Sequence, residues 1–466
     1  MAAGNTIGKL ARGRYPSGVL VPASPGDLAT AVENTRGVLD EAPEAVFEAT
    51  FVHDLYTARI DLLERRDDGT WDLIEVKSSA SVKPNHIEEV AFQYWVASSA
   101  GCPISRVFVE VVNPSYTYES GQPNPADFLH REDVTDKVLK AIGDIRDVAK
   151  GLFEMLEKDA EPVIRVSSHC NSPRCQYYER CYEGVPEDDL VHLPELRRTN
   201  ASTYRDQGIN SYFEIPDADL SANQRRFIEA EKSGQPVVSP DLAADLAKWK
   251  QPVVAIDFES VALMIPLWPG TQPYKSIPFQ WSAHTFSGAA EEVEHAEFLA
   301  TDGNDPREPF ARSLYEVLRN AGTVLYYSSY EISCLKNLVT SGTPMAKECS
   351  DILSERGVDL LALVKKMVYL PSFRGSFSMK SVLPGMLGFD PYESGPIQNG
   401  DYAAMEFERM LGPATTSDEK ERIAAALLEY CRIDTAAMIV VVRGLHALSR
   451  GDALVSESLA AGLIQC

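Results

Sequence analysis

The chain has 466 residues, 44% hydrophobic and 24% charged, the composition of a folded protein too long for one hydrophobic core, so two or three domains are expected. Acidic residues number 68 against 44 basic ones, a net charge of −24; this excludes a polyanion-binding surface over the whole molecule but allows a local basic groove beside carboxylate-rich metal sites. There is no repeat period, no bilayer-length apolar run and no signal-peptide-like start, so a cytoplasmic protein without a membrane partner is expected, its eight cysteines free thiols or metal ligands.

Residues 1–165 read as a small mixed α/β domain. Strand-like runs fall at 46–51, 56–65 and 71–77, the last two joined by Arg66-Asp67-Asp68-Gly69, an Asp-Gly turn signal. A helix is predicted from Asn85, with Glu88 at the capping-box position and Ile87, Val90, Ala91, Tyr94 and Trp95 on its apolar face. A buried strand at 106–112 and a long amphipathic helix at 136–158 complete the domain.

In this hairpin Glu75 and Lys77 share a strand face, with Asp61 on the neighbouring strand. Two acids and a lysine suit metal-dependent phosphodiester hydrolysis: the acids hold Mg²⁺ while the lysine positions or helps activate water and stabilises charge on the phosphate. Gln93 and Tyr94 lie on the following helix within reach of the same crevice, and Glu48 on the preceding strand can support it. The bland alternative is a salt-bridged hairpin edge. Asp, Glu-x-Lys and Gln-Tyr in this order resemble the RecB-like branch of the PD-(D/E)xK nucleases.

Residues 166–250 are Cys-rich and then Pro-punctuated, either a helical connector or a small nucleic-acid-binding element. Cys170, Cys175 and Cys181 fall within twelve residues. In CRISPR-associated and related RecB-like nucleases, three cysteines here and one upstream hold a [4Fe–4S] cluster. The resemblance implies such a cluster, but no cysteine precedes Cys102 to serve as the fourth ligand. A zinc site completed by His169 or His192 and plain thiols are the alternatives.

A second α/β domain is expected over 251–466, with strands at 253–258, 277–286 and 323–328 and a closing helix over 416–448 that opens on a Thr416/Glu419 capping box. The first strand ends in Asp257-Phe258-Glu259, two carboxylates on one face that repel each other unless a cation sits between them. Glu331 follows the third strand where a switch-point residue would face the same crevice. On the closing helix Tyr430 and Asp434 lie one turn apart. Arg374, Ser376, Ser378 and Lys380 form a loop suited to phosphate contacts, or simply a solvated one.

Asp-x-Glu at a strand end, a later acid and Tyr-x-x-x-Asp on a late helix resemble the DEDDy 3′–5′ exonucleases, which have a ribonuclease-H-like fold. The resemblance implies that Asp257, Glu259, Glu331 and Asp434 hold Mg²⁺ or Mn²⁺ and that Tyr430 orients the attacking water. The family's usual Asn before the second acid is here Tyr327-Ser328-Ser329-Tyr330, and Asp359 competes as a ligand. The alternative is a surface Asp-x-Glu plus a buried ion pair at Asp434.

Stretches 72–79, 169–181, 277–280, 375–384 and 430–438 further resemble a bacterial family of unknown function whose members join these two kinds of module. The expected function is nucleolytic, on DNA or RNA. A nucleic-acid-binding scaffold with decayed sites is the main alternative, and a hydrolase of small phosphoesters a third.

Overall fold

The computed structural model describes residues 2–22, 26–160, 175–177, 180–181, 183–196, 198–288, 290, 292–392, 395–397 and 399–461. It is a mixed α/β protein of two compact units. One comprises Met1–Pro162 and Ala262–Lys275, the other Val163–Val261 and Ser276–Cys466.

The first unit is built on a six-stranded sheet whose order follows the chain: β1 (Val19–Leu20), β2 (Ala45–His53), β3 (Tyr56–Arg65), β4 (Trp71–Lys77), β5 (Ile104–Val112) and β6 (Leu129–Asp133). Strands β2, β3 and β4 form an antiparallel meander, and β5 joins β4 in parallel. A parallel neighbour needs a crossover, which α3 (Pro84–Ser99) supplies; α1 (Ala2–Arg12), α2 (Leu28–Asp40) and α4 (Thr135–Leu156) complete the layers. Val90, Ala91 and Val96 of α3 pack with Ile60, Leu73, Val107 and Val109. Ile7 and Ala11 of α1 join Val76, Val112 and Phe128. With both faces covered, β4 is buried along its length except at Lys77, as expected of an inner strand.

The start of α3 corrects the sequence reading. The helix begins at Pro84, whose fixed φ and missing N–H suit the first helical position, and the reciprocal partner is His86, whose Nδ1 accepts the Lys83 backbone N–H at 3.1 Å. Glu88 has no capping role.

The second unit carries a five-stranded mixed sheet in the order β10-β9-β8-β11-β12. Its strands are β8 (Val253–Val261), β9 (Ile277–Phe286), β10 (Val293–Leu299), β11 (Thr323–Tyr326) and β12 (Gly357–Asp359), and the short β7 (Val237–Val238) pairs separately with β13 (Val368–Tyr369). β9 is antiparallel to both of its neighbours, β8 and β10, while β11 and β12 run parallel to β8. The longer helices are α5 (Arg198–Asp206), α6 (Ala222–Ser233), α7 (Arg307–Leu318), α8 (Tyr330–Thr340), α9 (Ala346–Arg356), α10 (Leu360–Met367), α11 (Met379–Leu387), α12 (Gly400–Leu411) and α13 (Ser417–Ser449).

Val254, Ile256 and Phe258 pack with residues of α7, α8 and α9. The alternation of a strand therefore turns Asp257 and Glu259 to the opposite face, where α12 and α13 pack on β8. The strand expected to run to 328 stops at Tyr326, because Ser328 takes φ 98° and turns the chain into α8. No helix among the described residues is long and apolar enough to cross a membrane.

Candidate functional site

In the second unit, ligand atoms of Asp257, Glu259 and Asp434 all lie within 4.8 Å of one another. The first two come from β8, which is pinned between β9 and β11. Asp434 comes from the middle of α13, whose register over the sheet is fixed by Gln280 of β9 donating to the Leu427 carbonyl at 2.7 Å. Asp257 pairs with Ser282 in the β8–β9 ladder, and the Ser282 hydroxyl meets Thr435 Oγ1 at 2.7 Å, tying the strand to the residue after Asp434.

Glu331, in the first turn of α8, is 2% exposed, and its Oε2 has no hydrogen-bond partner among the described residues. Burial, then the charges of Asp434, Glu259 and Glu331, drives Asp257 well above the usual carboxylate range. Burial, then Asp434 and Glu331, pushes Glu259 up to about 8. Burial, reinforced by Asp359 and Asp434, likewise takes Glu331 to about 8. Asp434 rises only to about 6, since burial is offset by the Tyr392 hydrogen bond, by Lys380 and by Tyr430.

Two residues at this centre carried no pattern visible in the sequence. Tyr392, 6% exposed, donates its phenol to Asp434 Oδ1 at 2.5 Å. Cys431 is fully buried, with its thiol 3.4 Å from Asp257 Oδ2. Tyr430 is buried beside Tyr392, their rings 6.4 Å apart, and burial, reinforced by the surrounding carboxylates, raises its phenol strongly. Asp359 is accounted for differently: its Oδ1 caps α10 by accepting the Ala362 N–H at 3.0 Å.

The 374–380 loop divides. Lys380, on the first turn of α11, lowers the proton affinity of Glu259 and Asp434 by its charge and lies 5.7 Å from the Tyr392 ring centroid. Ser376 and Ser378 bond each other at 3.1 Å in the turn before α11, whereas Arg374 is exposed at the end of a 3₁₀ turn with φ 49°. Tyr327 holds this loop by donating to the Phe377 carbonyl at 2.6 Å.

In the first unit, β3 and β4 pair only as far as Leu62 and Ile74. Beyond that point they part, and Asp61 Oδ2 accepts the Val76 N–H at 2.9 Å. Glu75, 4% exposed, accepts from Lys77 Nζ at 2.7 Å and from Gln93 Nε2 at 2.9 Å. Burial and then Asp61 push Glu75 up to about 8, and burial with Glu48 raises Asp61. Glu48 holds φ 61° within β2, a conformation unusual for a side-chain-bearing residue. Lys77 Nζ is shared with Glu89 Oε2 at 2.7 Å, a residue the sequence reading had not singled out. Tyr94 packs against the apolar core of the unit, a different surrounding from that of Gln93. A cleft of about 360 Å³ is lined by Glu48, Asp61, Glu75, Val76 and Lys77 together with residues of α1.

Cys175 and Cys181 are partly exposed free thiols. Cys170 and His169 lie outside the described residues, so the expected cluster or zinc site is not delimited.

Fold and site thus define a mixed α/β protein with an acidic centre able to hold a divalent cation. A family model described as a domain of unknown function, DUF2779, matches residues 254–378. That stretch carries Asp257, Glu259 and Glu331 and stops short of Lys380, Tyr430 and Asp434. No curated protein matches the chain.

Proposed function

We propose that the chain is a metal-dependent nuclease acting on DNA or RNA, with a 3′–5′ exonuclease site in the second unit and a second nuclease site in the first. The observation that carries this reading is the convergence of Asp257, Glu259 and Asp434 within 4.8 Å, with the buried Glu331, whose Oε2 has no hydrogen-bond partner among the described residues, near enough for its charge to raise Asp257 and Glu259. Carboxylates in such company repel each other unless a cation neutralises them, and an all-oxygen donor set suits Mg²⁺ or Mn²⁺. Asp257, Glu259 and Asp434 would hold the ion, with Glu331 completing the set. Bound there, a divalent cation supplies Lewis acidity toward the phosphate and lowers the pKa of water.

The protein's own groups do the rest. Tyr430 orients the attacking water, and Lys380, set beside Glu259 and Asp434, places positive charge where a phosphate would enter. The mixed sheet with Asp-x-Glu on its central strand supports the ribonuclease-H-like reading, and the polarity rests on the likeness to DEDDy enzymes. In the first unit Asp61 and Glu75 would hold the cation, Gln93 fixes Glu75, and Lys77 stabilises charge on the phosphate. The β-meander, crossover helix and parallel strand support the PD-(D/E)xK reading. Cys170, Cys175 and Cys181 are one thiolate short of the four a [4Fe–4S] cluster takes, so its fourth ligand is unassigned, and iron and zinc analysis of purified protein separates cluster, zinc site and plain thiols.

The test is incubation of labelled single- and double-stranded DNA and RNA with Mg²⁺ or Mn²⁺. Asp257→Asn is expected to abolish stepwise 3′ shortening, and Lys77→Ala to abolish the remaining cleavage. Undiminished cleavage in both variants would refute the reading, and no cleavage by the parent chain would favour a binding protein with decayed sites.

A further inference from the structure

β8 and β9 pair as far as Val261 and Ile277, and of the chain between them Ala262–Lys275 belongs to the first unit. In this excursion Met264, Ile265 and Tyr274 pack with Ile7 and Ala11 of α1 and with Val76 of β4. Gly270 and Thr271 exchange backbone hydrogen bonds with Tyr118 at 2.8 and 2.9 Å. Tyr274 holds φ 58°, a left-handed conformation rare for a bulky residue that persists only where the surroundings over-determine it. So placed, its phenol donates to the carbonyl of Ser78, the residue after Lys77. β3 has already parted from β4 here: the Val76 N–H goes to Asp61 Oδ2, and the Ser78 carbonyl, two residues on, goes to Tyr274. Val76 and Ser78 both line the cleft that holds Glu75 and Lys77.

The neck of the excursion is tied within the second unit. Ser276 Oγ meets Ser260 Oγ at 2.5 Å, and the Tyr330 phenol shares Ser260. Ser260 follows Glu259, and Tyr330 precedes Glu331. Lys77, Glu259 and Glu331 thus each have a chain neighbour hydrogen-bonded to Tyr274 or to the neck of its loop. We propose that the excursion couples the two acidic centres, a cation at one strengthening the hold on a cation at the other, with Tyr274 as the positioning residue through which the coupling passes. The inference rests on both centres taking a divalent cation, as the nuclease reading requires, and adds a regulation to them. An ion that draws in Glu259 and Glu331 fixes the neck. A fixed neck leaves Tyr274 less freedom to lose in holding the end of β4 that carries Glu75 and Lys77. By linkage the effect is reciprocal.

The experiment titrates the full chain with Mn²⁺ by calorimetry. Glu75→Gln leaves only the second centre, and Asp257→Asn only the first. The parent is expected to bind two ions, the product of its two dissociation constants being about tenfold smaller than the product of the two single-centre values. Repeated in the Tyr274→Phe background, the same comparison should give a factor of about one. A tyrosine that only packs would lower the melting temperature and leave the factor at about ten. Amide exchange over residues 262–275 is the second readout: Mn²⁺ should slow it in the Glu75→Gln chain, whose ion sits in the second centre.

A factor that survives Tyr274→Phe undiminished overturns the proposal. If Tyr274→Phe fails to fold, Ser276→Ala, which frees the neck from Ser260, takes its place, and an undiminished factor there overturns it equally. A parent that binds two ions independently overturns the coupling alone. One that binds fewer than two overturns the two-centre reading as well, which is a different failure.

Discussion

At the residue scale, the carboxylate that most depends on its neighbours is Asp434. It sits among three other acids yet rises only to about 6, because the Tyr392 phenol donates to it at 2.5 Å and Lys380 stands nearby. A short bond from a buried phenol fixes the carboxylate's orientation, as outer partners of metal ligands generally do. Tyr392→Phe is therefore expected to weaken Mn²⁺ binding by about 10–100-fold, read by calorimetry, while Tyr430→Phe should lower kcat with a smaller effect on Mn²⁺ affinity. Equal Mn²⁺ affinity in the parent and Tyr392→Phe would mean that this phenol only packs. The Tyr430/Asp434 pair was legible because helix periodicity stacks residues four apart. Tyr392 was not, since it lies in an irregular turn after Gly388 whose path only the tertiary fold sets.

At the element scale, α13 is the beam that carries Tyr430 and Asp434 to the sheet. It runs 33 residues from a Thr416 cap whose side chain and Glu419 satisfy each other's backbone N–H groups. Removing the cap by Thr416→Ala should cost about 1 kcal/mol of stability, seen in denaturant titration. The site is more than three turns further along the helix, so kcat should not change; a parallel loss of activity would show that the helix end and the site are coupled.

Elements with a strong local signature, such as this capped helix and the strand Ile277–Phe286, had sequence boundaries close to those observed. Those set by pairing did not. β12 is three residues long, and β10 is an edge strand with four consecutive exposed residues, so neither shows the alternation of a half-buried strand. The beginning of α3 was displaced because Lys83 and His86 close it by a side chain-to-backbone bond outside the usual capping vocabulary.

At the scale of the whole molecule, the acidic centres couple folding to pH and to metal. Glu75, Glu259 and Glu331 all stand at about 8 in the folded chain, above the ordinary carboxylate value of about 4.3. Between those limits the native state holds more protons than the unfolded one, so stability is present in full below about pH 4.3 as far as these groups are concerned. It is lost as pH rises through about 8. A divalent cation reverses that loss, because it binds the native carboxylates and stabilises by mass action. At low pH it must first displace their protons. The melting temperature of chelator-treated protein is thus expected to fall as pH rises toward 8, and the increase produced by Mn²⁺ to be larger near pH 8 than near pH 6. Asp257→Asn should remove the second unit's share of that increase and leave the first unit's. A Mn²⁺-induced increase of the same size at both pH values would show that the acids are not where the ion binds.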